Sequence, residues 1–220
     1  YKLTHHNNLV FLLRVQQGIG LNCTIIKYEK QEKGYFKIMI KERTLWITRT
    51  AVFIALLVVL QAATGALGST IITGSVVNML LIVSVMTCGM MSGLCVAVIS
   101  PVMAKLIGIG PLWSLIPFIV AGNITLVLIW HFIGNRRWGH KYTAPIIALT
   151  AAATAKFLVL YLGIAQITVP FLLRLPAPQA AVISSMFSIP QLLTALLGGG
   201  VALLVLSPLK KAIRGGREQS

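Results

Sequence analysis

Six apolar runs, each close to the length a bilayer demands, constrain this chain more than any other feature. A helix crossing the hydrocarbon layer needs about 20 mostly apolar residues, because no water is present there to satisfy a bare backbone. The runs are Leu45–Leu67, Ile71–Cys88, Met91–Ile107, Ser114–Ile133, Tyr142–Ile164 and Ser188–Leu206. Breakers separate them: Gly65 and Gly68, then Gly89, then Gly108, Gly110 and Pro111, then Gly134 with Asn135. Only 10% of the 220 residues are charged, against about 25% in soluble domains, so lipid is the solvent this composition fits. The expected fold is all-α, an integral membrane bundle of six transmembrane helices.

Charge orients the bundle. A formal net charge of +15 would also fit a nucleic-acid binder. However, the basic residues sit between apolar runs and no stretch is long enough for a separate basic domain, so no nucleic-acid partner is expected. Lys41, Arg43 and Arg49 lie around the start of the first run, Arg136, Arg137 and Lys141 between the fourth and fifth, and Lys210, Lys211, Arg214 and Arg217 after the sixth. With six spans these clusters share one side, which the positive-inside rule makes cytoplasmic, together with both termini. The other side has only Lys105 and Arg174 at its borders. The stretch Gln166–Pro190, with Pro170, Pro176, Pro178 and Pro190, reads as an ordered external loop with short helical pieces.

Composition changes abruptly at Met39. Leu9–Val15 is too short to span, and the segment before Met39 lacks the basic, apolar and small-residue order of a signal peptide. Residues 1–38 are expected to be an N-terminal extension upstream of a true start at Met39, with a genuine cytoplasmic tail as the alternative. Residues 39–220 then form the membrane domain.

The motifs of several chemistries are absent. No G-x-x-x-x-G-K-[ST] occurs to cradle ATP phosphates, and no H-E-x-x-H occurs to hold zinc. His131 and His140 have no partner carboxylates, and Cys23, Cys88 and Cys95 lack paired spacing, so no metal site or cofactor is expected. The four acids, Glu29, Glu32, Glu42 and Glu218, all lie near the ends. Proton-driven carriers generally use buried carboxylate relays, and the runs offer none. The expectation is a binding protein, not an enzyme.

Polar groups within spans are costly and default to functional candidates. Lys156 lies fourteen residues past Tyr142, about 21 Å along a helix rising 1.5 Å per residue, in the outer third of the fifth span. Ala148 and Ala152 precede it on the same face, leaving room for a ligand or a close helix. Asn123, Asn78, Gln191 and Thr194 fall on the same outer half. Singly, each amide is as well read as interhelical glue, and the lysine as a cation snorkelling to the surface. Their shared depth favours a substrate-binding set of Asn78, Asn123, Lys156, Gln191 and Thr194, with Trp113 as either an interfacial anchor or a lining residue. Without helix carboxylates, an anion from outside is the natural counter-charge for Lys156 or Lys105; a zwitterionic or neutral substrate stays open.

The first run reads Thr48-Arg-Thr-Ala-Val-Phe-Ile-Ala-Leu-Leu, with Ala51 and Ala55 four apart. Later phrases are Gly74-Ser-Val-Val-Asn78, Pro117-Phe-Ile-Val-Ala-Gly-Asn123, Ala155-Lys-Phe-Leu and Pro190-Gln-Leu-Leu-Thr-Ala-Leu-Leu-Gly198. Over about residues 39–213 this order resembles the substrate-binding subunits (S components) of energy-coupling factor transporters, which import vitamins in prokaryotes. The resemblance implies a multi-pass protein of a prokaryotic inner or plasma membrane that captures a vitamin or related micronutrient from outside. It also implies partners, a transmembrane coupling subunit and two ATPase subunits, with Ala51 and Ala55 on the partner interface. The missing P-loop agrees, since the ATPases would be separate chains. Alternatives are a stand-alone small-solute carrier or channel, or a membrane enzyme.

Overall fold

The computed structural model describes residues 43–110, 112–136, 143–173 and 175–218, with the helix backbone alone over 210–218. The proposed extension over 1–38 and its Met39 boundary lie outside the described residues, as do Lys41, Arg137, His140, Lys141 and Arg174. Every regular element among the described residues is helical. Five stretches are long and apolar enough to cross a membrane: Arg43–Gly65, Thr70–Cys88, Trp113–Gly134, Thr143–Leu173 and Ala177–Leu209. That is the pattern of a multi-pass membrane protein.

We label the helices α1 (Arg43–Gly65), α2 (Thr70–Cys88), α3 (Met90–Leu106), α4 (Ile116–Ile129), α5 (Thr143–Leu160), α6 (Ala177–Met186) and α7 (Ile189–Glu218). α4 is entered by a 3-10 turn at Trp113–Leu115 and leaves through a π-helical turn at Trp130–Gly134, while α5 continues as a π-helix over Tyr161–Leu173. Thr48–Ser220 forms one compact unit, and everything below belongs to it.

Local chemistry sets the helix ends. Ser69 caps α2, its hydroxyl accepting from the Ile72 N–H, which satisfies one of the open donors of the first turn. A single residue, Gly89, joins α2 to α3 at φ 90°, a left-handed conformation that favours glycine.

The expected loop over Gln166–Pro190 is shorter than the sequence indicates. The apolar run of the fifth span ends at Ile164, yet the chain stays helical to Leu173 despite Pro170. Within this wider π-helical turn the Thr168 hydroxyl donates to the Gly163 carbonyl at 2.6 Å, bridging five residues. Only the few residues around Pro176, the short α6 and a turn at Phe187–Ser188 then connect to α7. None of the α6 residues is buried. The neighbouring side chains Leu115, Leu160, Ile164, Val169 and Phe187 form a small apolar cluster on which its Ala180 and Ile183 rest.

The main core lies between α1, α2, α3, α4, α5 and α7 and includes Leu57, Leu81, Ile82, Val96, Val127, Ala148, Ala152 and Ala202. Alanines on α5 and α7 let backbones approach, which is how helices associate where lipid removes the hydrophobic drive. α2 and α7 come closest. A Cβ on Gly198 would collide with the Ser75 carbonyl oxygen and stand 2.8 Å from Asn78 Cβ, and one on Gly74 would stand 2.9 Å from Thr194 Cγ2. α1 is tied to α3 at two levels, Thr50 Oγ1 to Ser92 Oγ at 3.0 Å and Gln61 Nε2 to Ser100 Oγ at 3.3 Å. The higher-numbered residue pairs with the higher-numbered one, so α1 and α3 run parallel.

Candidate functional site

Lys156 is the charge about which the site is built. It is 4% exposed, so it does not snorkel. Its Nζ donates to Asn78 Oδ1 at 2.5 Å and to Asn123 Oδ1 at 2.7 Å. Both asparagines are buried, on α2 and α4. Ala148 and Ala152, two turns and one turn before the lysine respectively, are core residues, and so serve close helix packing.

Each amide is held with its oxygen toward the ammonium by a bond behind it. Asn78 Nδ2 donates to Thr194 Oγ1 at 3.4 Å, and Thr194 Oγ1 donates to the Gln191 carbonyl at 3.0 Å. Asn123 Nδ2 donates to the Ala97 carbonyl at 3.3 Å. That carbonyl is free to accept because Pro101, four residues on in α3, has no N–H to return to it. Such freed groups in a span must find another partner, and here the partner is the side chain that orients toward the lysine. Five helices, α2, α3, α4, α5 and α7, therefore meet through one polar network.

An ammonium carries three N–H donors. Two are used, and the third meets no acceptor among the described residues. Lys156, Asn78 and Asn123 line a cavity of about 470 Å³, within the usual range of small-molecule sites. Its other walls are largely apolar, with Val77, Pro101, Ile109, Leu115, Ile119 and Phe187 among them. All the lining segments belong to one end of the bundle, where α1 closes, α2 begins and α6 crosses. Lys105, partly exposed on the last turn of α3, adds a second cation to the wall. The sequence holds no carboxylate between Glu42 and Glu218, so none stands near either charge along its helix to balance it.

Of the residues expected from sequence, Asn78, Asn123, Lys156 and Gln191 line the cavity, and Thr194 stands one hydrogen bond behind Asn78. Trp113 does not belong with them. It is 58% exposed on the turn before α4, while Leu112 and Leu115 on either side face the cavity. Its reading as an interfacial anchor fits this position. Sequence reasoning missed Gln61, Ser100 and Pro101 as wall residues, although an amide and a proline inside apolar runs were signals for them; Lys105, the second cation open to an outside anion, also stands in the wall. Among the described residues no group of three His, Cys, Asp or Glu gathers. Comparison with family models, with curated proteins and with solved structures finds no match for this chain.

Proposed function

We propose that this protein is a six-span membrane subunit that captures a vitamin-like solute bearing an anionic group, and passes it inward as the S component of an energy-coupling factor transporter. The observation that carries the reading is Lys156: a buried cation, facing a cavity, with two neutral oxygens and no carboxylate as partners. A buried charge is expensive unless paired, and amide oxygens compensate it only in part. A carboxylate or phosphate entering the cavity supplies the missing charge and accepts the third N–H. The site binds and does not transform its solute.

The sixth span in this reading is α3. Its 17 residues are at the short limit for crossing, and its parallel seam with α1 gives it the course of a span. Six spans place both termini on the side of the basic clusters and the cavity mouth outside. With the native cysteines replaced by serine, a cysteine at 211 should resist a membrane-impermeant maleimide in intact cells, and one at Gln179 should react. Labelling at 211 from outside would overturn this topology.

The outer face of α1 bears on the partner. Ala51 and Ala55 are both exposed and share one side of the helix, where a second helix can approach closely. Ala51→Trp and Ala55→Trp are expected to reduce ATP-dependent uptake at least tenfold, while solute affinity of the isolated subunit stays within about twofold. Unchanged uptake in both variants would favour a stand-alone carrier.

A further inference from the structure

We infer that Gln61 reads a hydrogen-bond donor, a ring N–H or a hydroxyl, on the anionic solute held at Lys156. The inference rests on the cavity being a solute site, as proposed above, and adds a second recognition point of opposite polarity. Gln61 is 4% exposed and lines the cavity together with Ser100. Its Nε2 is committed to Ser100 Oγ on α3, while its Oε1 is buried and has no hydrogen-bond partner among the described residues. Buried side-chain oxygens are seldom left this way. In a cavity wall, the group that completes such an acceptor is a donor on the molecule that fills the cavity.

The two recognition points lie at different depths. Gln61 is four residues from the end of α1 at Gly65, about 6 Å along the axis, and Asn78 is eight residues from the start of α2 at Thr70, about 12 Å. The acceptor therefore sits roughly one turn nearer the mouth than the floor that holds the lysine. Between them the wall is apolar, through Val77, Pro101 and Ile119. The arrangement fits a flat or compact apolar body with its anion pointing down to Lys156 and its donor pointing back to Gln61. Lys105, also in the wall, offers only donors; among the acceptors of the lining residues, Gln61 Oε1 is the buried one left without a partner.

Calorimetric titration of the full chain in dodecyl maltoside tests this with matched probes. These are indole-3-acetate against 1-methylindole-3-acetate, 4-hydroxyphenylacetate against 4-methoxyphenylacetate, and pyrrole-2-carboxylate against its N-methyl derivative. The wild type should prefer the donor-bearing member of at least one pair by roughly tenfold or more, since a site built to hydrogen-bond a group rejects the analogue lacking it. In Gln61→Met that ratio should fall to about one. Gln61→Glu, which keeps an acceptor, should retain the ratio even as its charge weakens binding of every carboxylate. A preference that survives Gln61→Met, or one that favours the methylated member, overturns the role of Gln61 and leaves the anion site at Lys156 standing. Absence of binding by every probe at millimolar concentration overturns both.

Discussion

Lys156→Met is expected to weaken binding of an anionic solute by about tenfold to more than a hundredfold, the loss of a charged hydrogen bond contributing roughly 1.5–3 kcal/mol. Methionine is unbranched and helix-compatible, so α5 should persist. Two opposing terms act on the empty protein. Removing a buried charge is favourable, while leaving Asn78 Oδ1 and Asn123 Oδ1 without their donor is unfavourable by about 1–3 kcal/mol for each oxygen. The discriminating readout is therefore the stabilisation conferred by solute. At a hundredfold excess over Kd the wild type should gain about 2.7 kcal/mol, and the variant should gain much less at the same concentration. Asn123→Leu is the paired control. It forfeits the bond to the Ala97 carbonyl as well as the one to Lys156, so it should lose more stability and less affinity than Lys156→Met. Near-native affinity in Lys156→Met would remove the anion from the account.

Gly198→Ala should be strongly damaging for a single added methyl within a helix. The added Cβ meets the Ser75 carbonyl oxygen, stands 2.8 Å from Asn78 Cβ and stands 3.0 Å from the Met79 nitrogen. Two of these are backbone atoms of α2 and cannot turn aside as a side chain end can, so α7 must back away. Overpacking of this kind costs about 1–3 kcal/mol. It also draws Thr194 away from Asn78, releasing the amide that faces Lys156, so affinity should fall along with stability. Gly200 is two residues further on, and a Cβ there meets nothing within 4 Å. Gly200→Ala should be neutral or slightly stabilising, because alanine is the better helix former. Thermal melting of the two variants in detergent, with and without solute, separates a local collision from a general intolerance of α7. Equal melting temperatures would mean that α2 and α7 are not in close contact.

The helical, lipid-facing character was legible because it follows from run length and charge content, which no tertiary contact can reverse. That Lys156, Asn78 and Asn123 lie at one level could be read by counting residues along each run, whereas the hydrogen bonds that join them depend on which faces meet. Other features depended on which face of a helix turns inward, and these runs, apolar on nearly every side, carry little periodicity to show it. Gln61 was lost for that reason. The part of Pro101 shows only in the fold, where the Ala97 carbonyl it leaves free accepts from Asn123. Trp113 was weighed as a wall residue because it borders the right level, but the short 3-10 turn sends its ring outward and its leucine neighbours inward. Pro170 misled in the opposite direction, since prolines signal loops except where a wider helical turn accommodates them.

Whether the cavity over Lys156 holds an anionic solute can be decided by mass spectrometry of small molecules released from detergent-purified wild type and Lys156→Met, side by side. An anionic molecule bearing a carboxylate or phosphate is expected, near one per chain in the wild type and reduced at least tenfold in the variant. Equal retention by both proteins, or a wild type that retains only a cationic species, would contradict it.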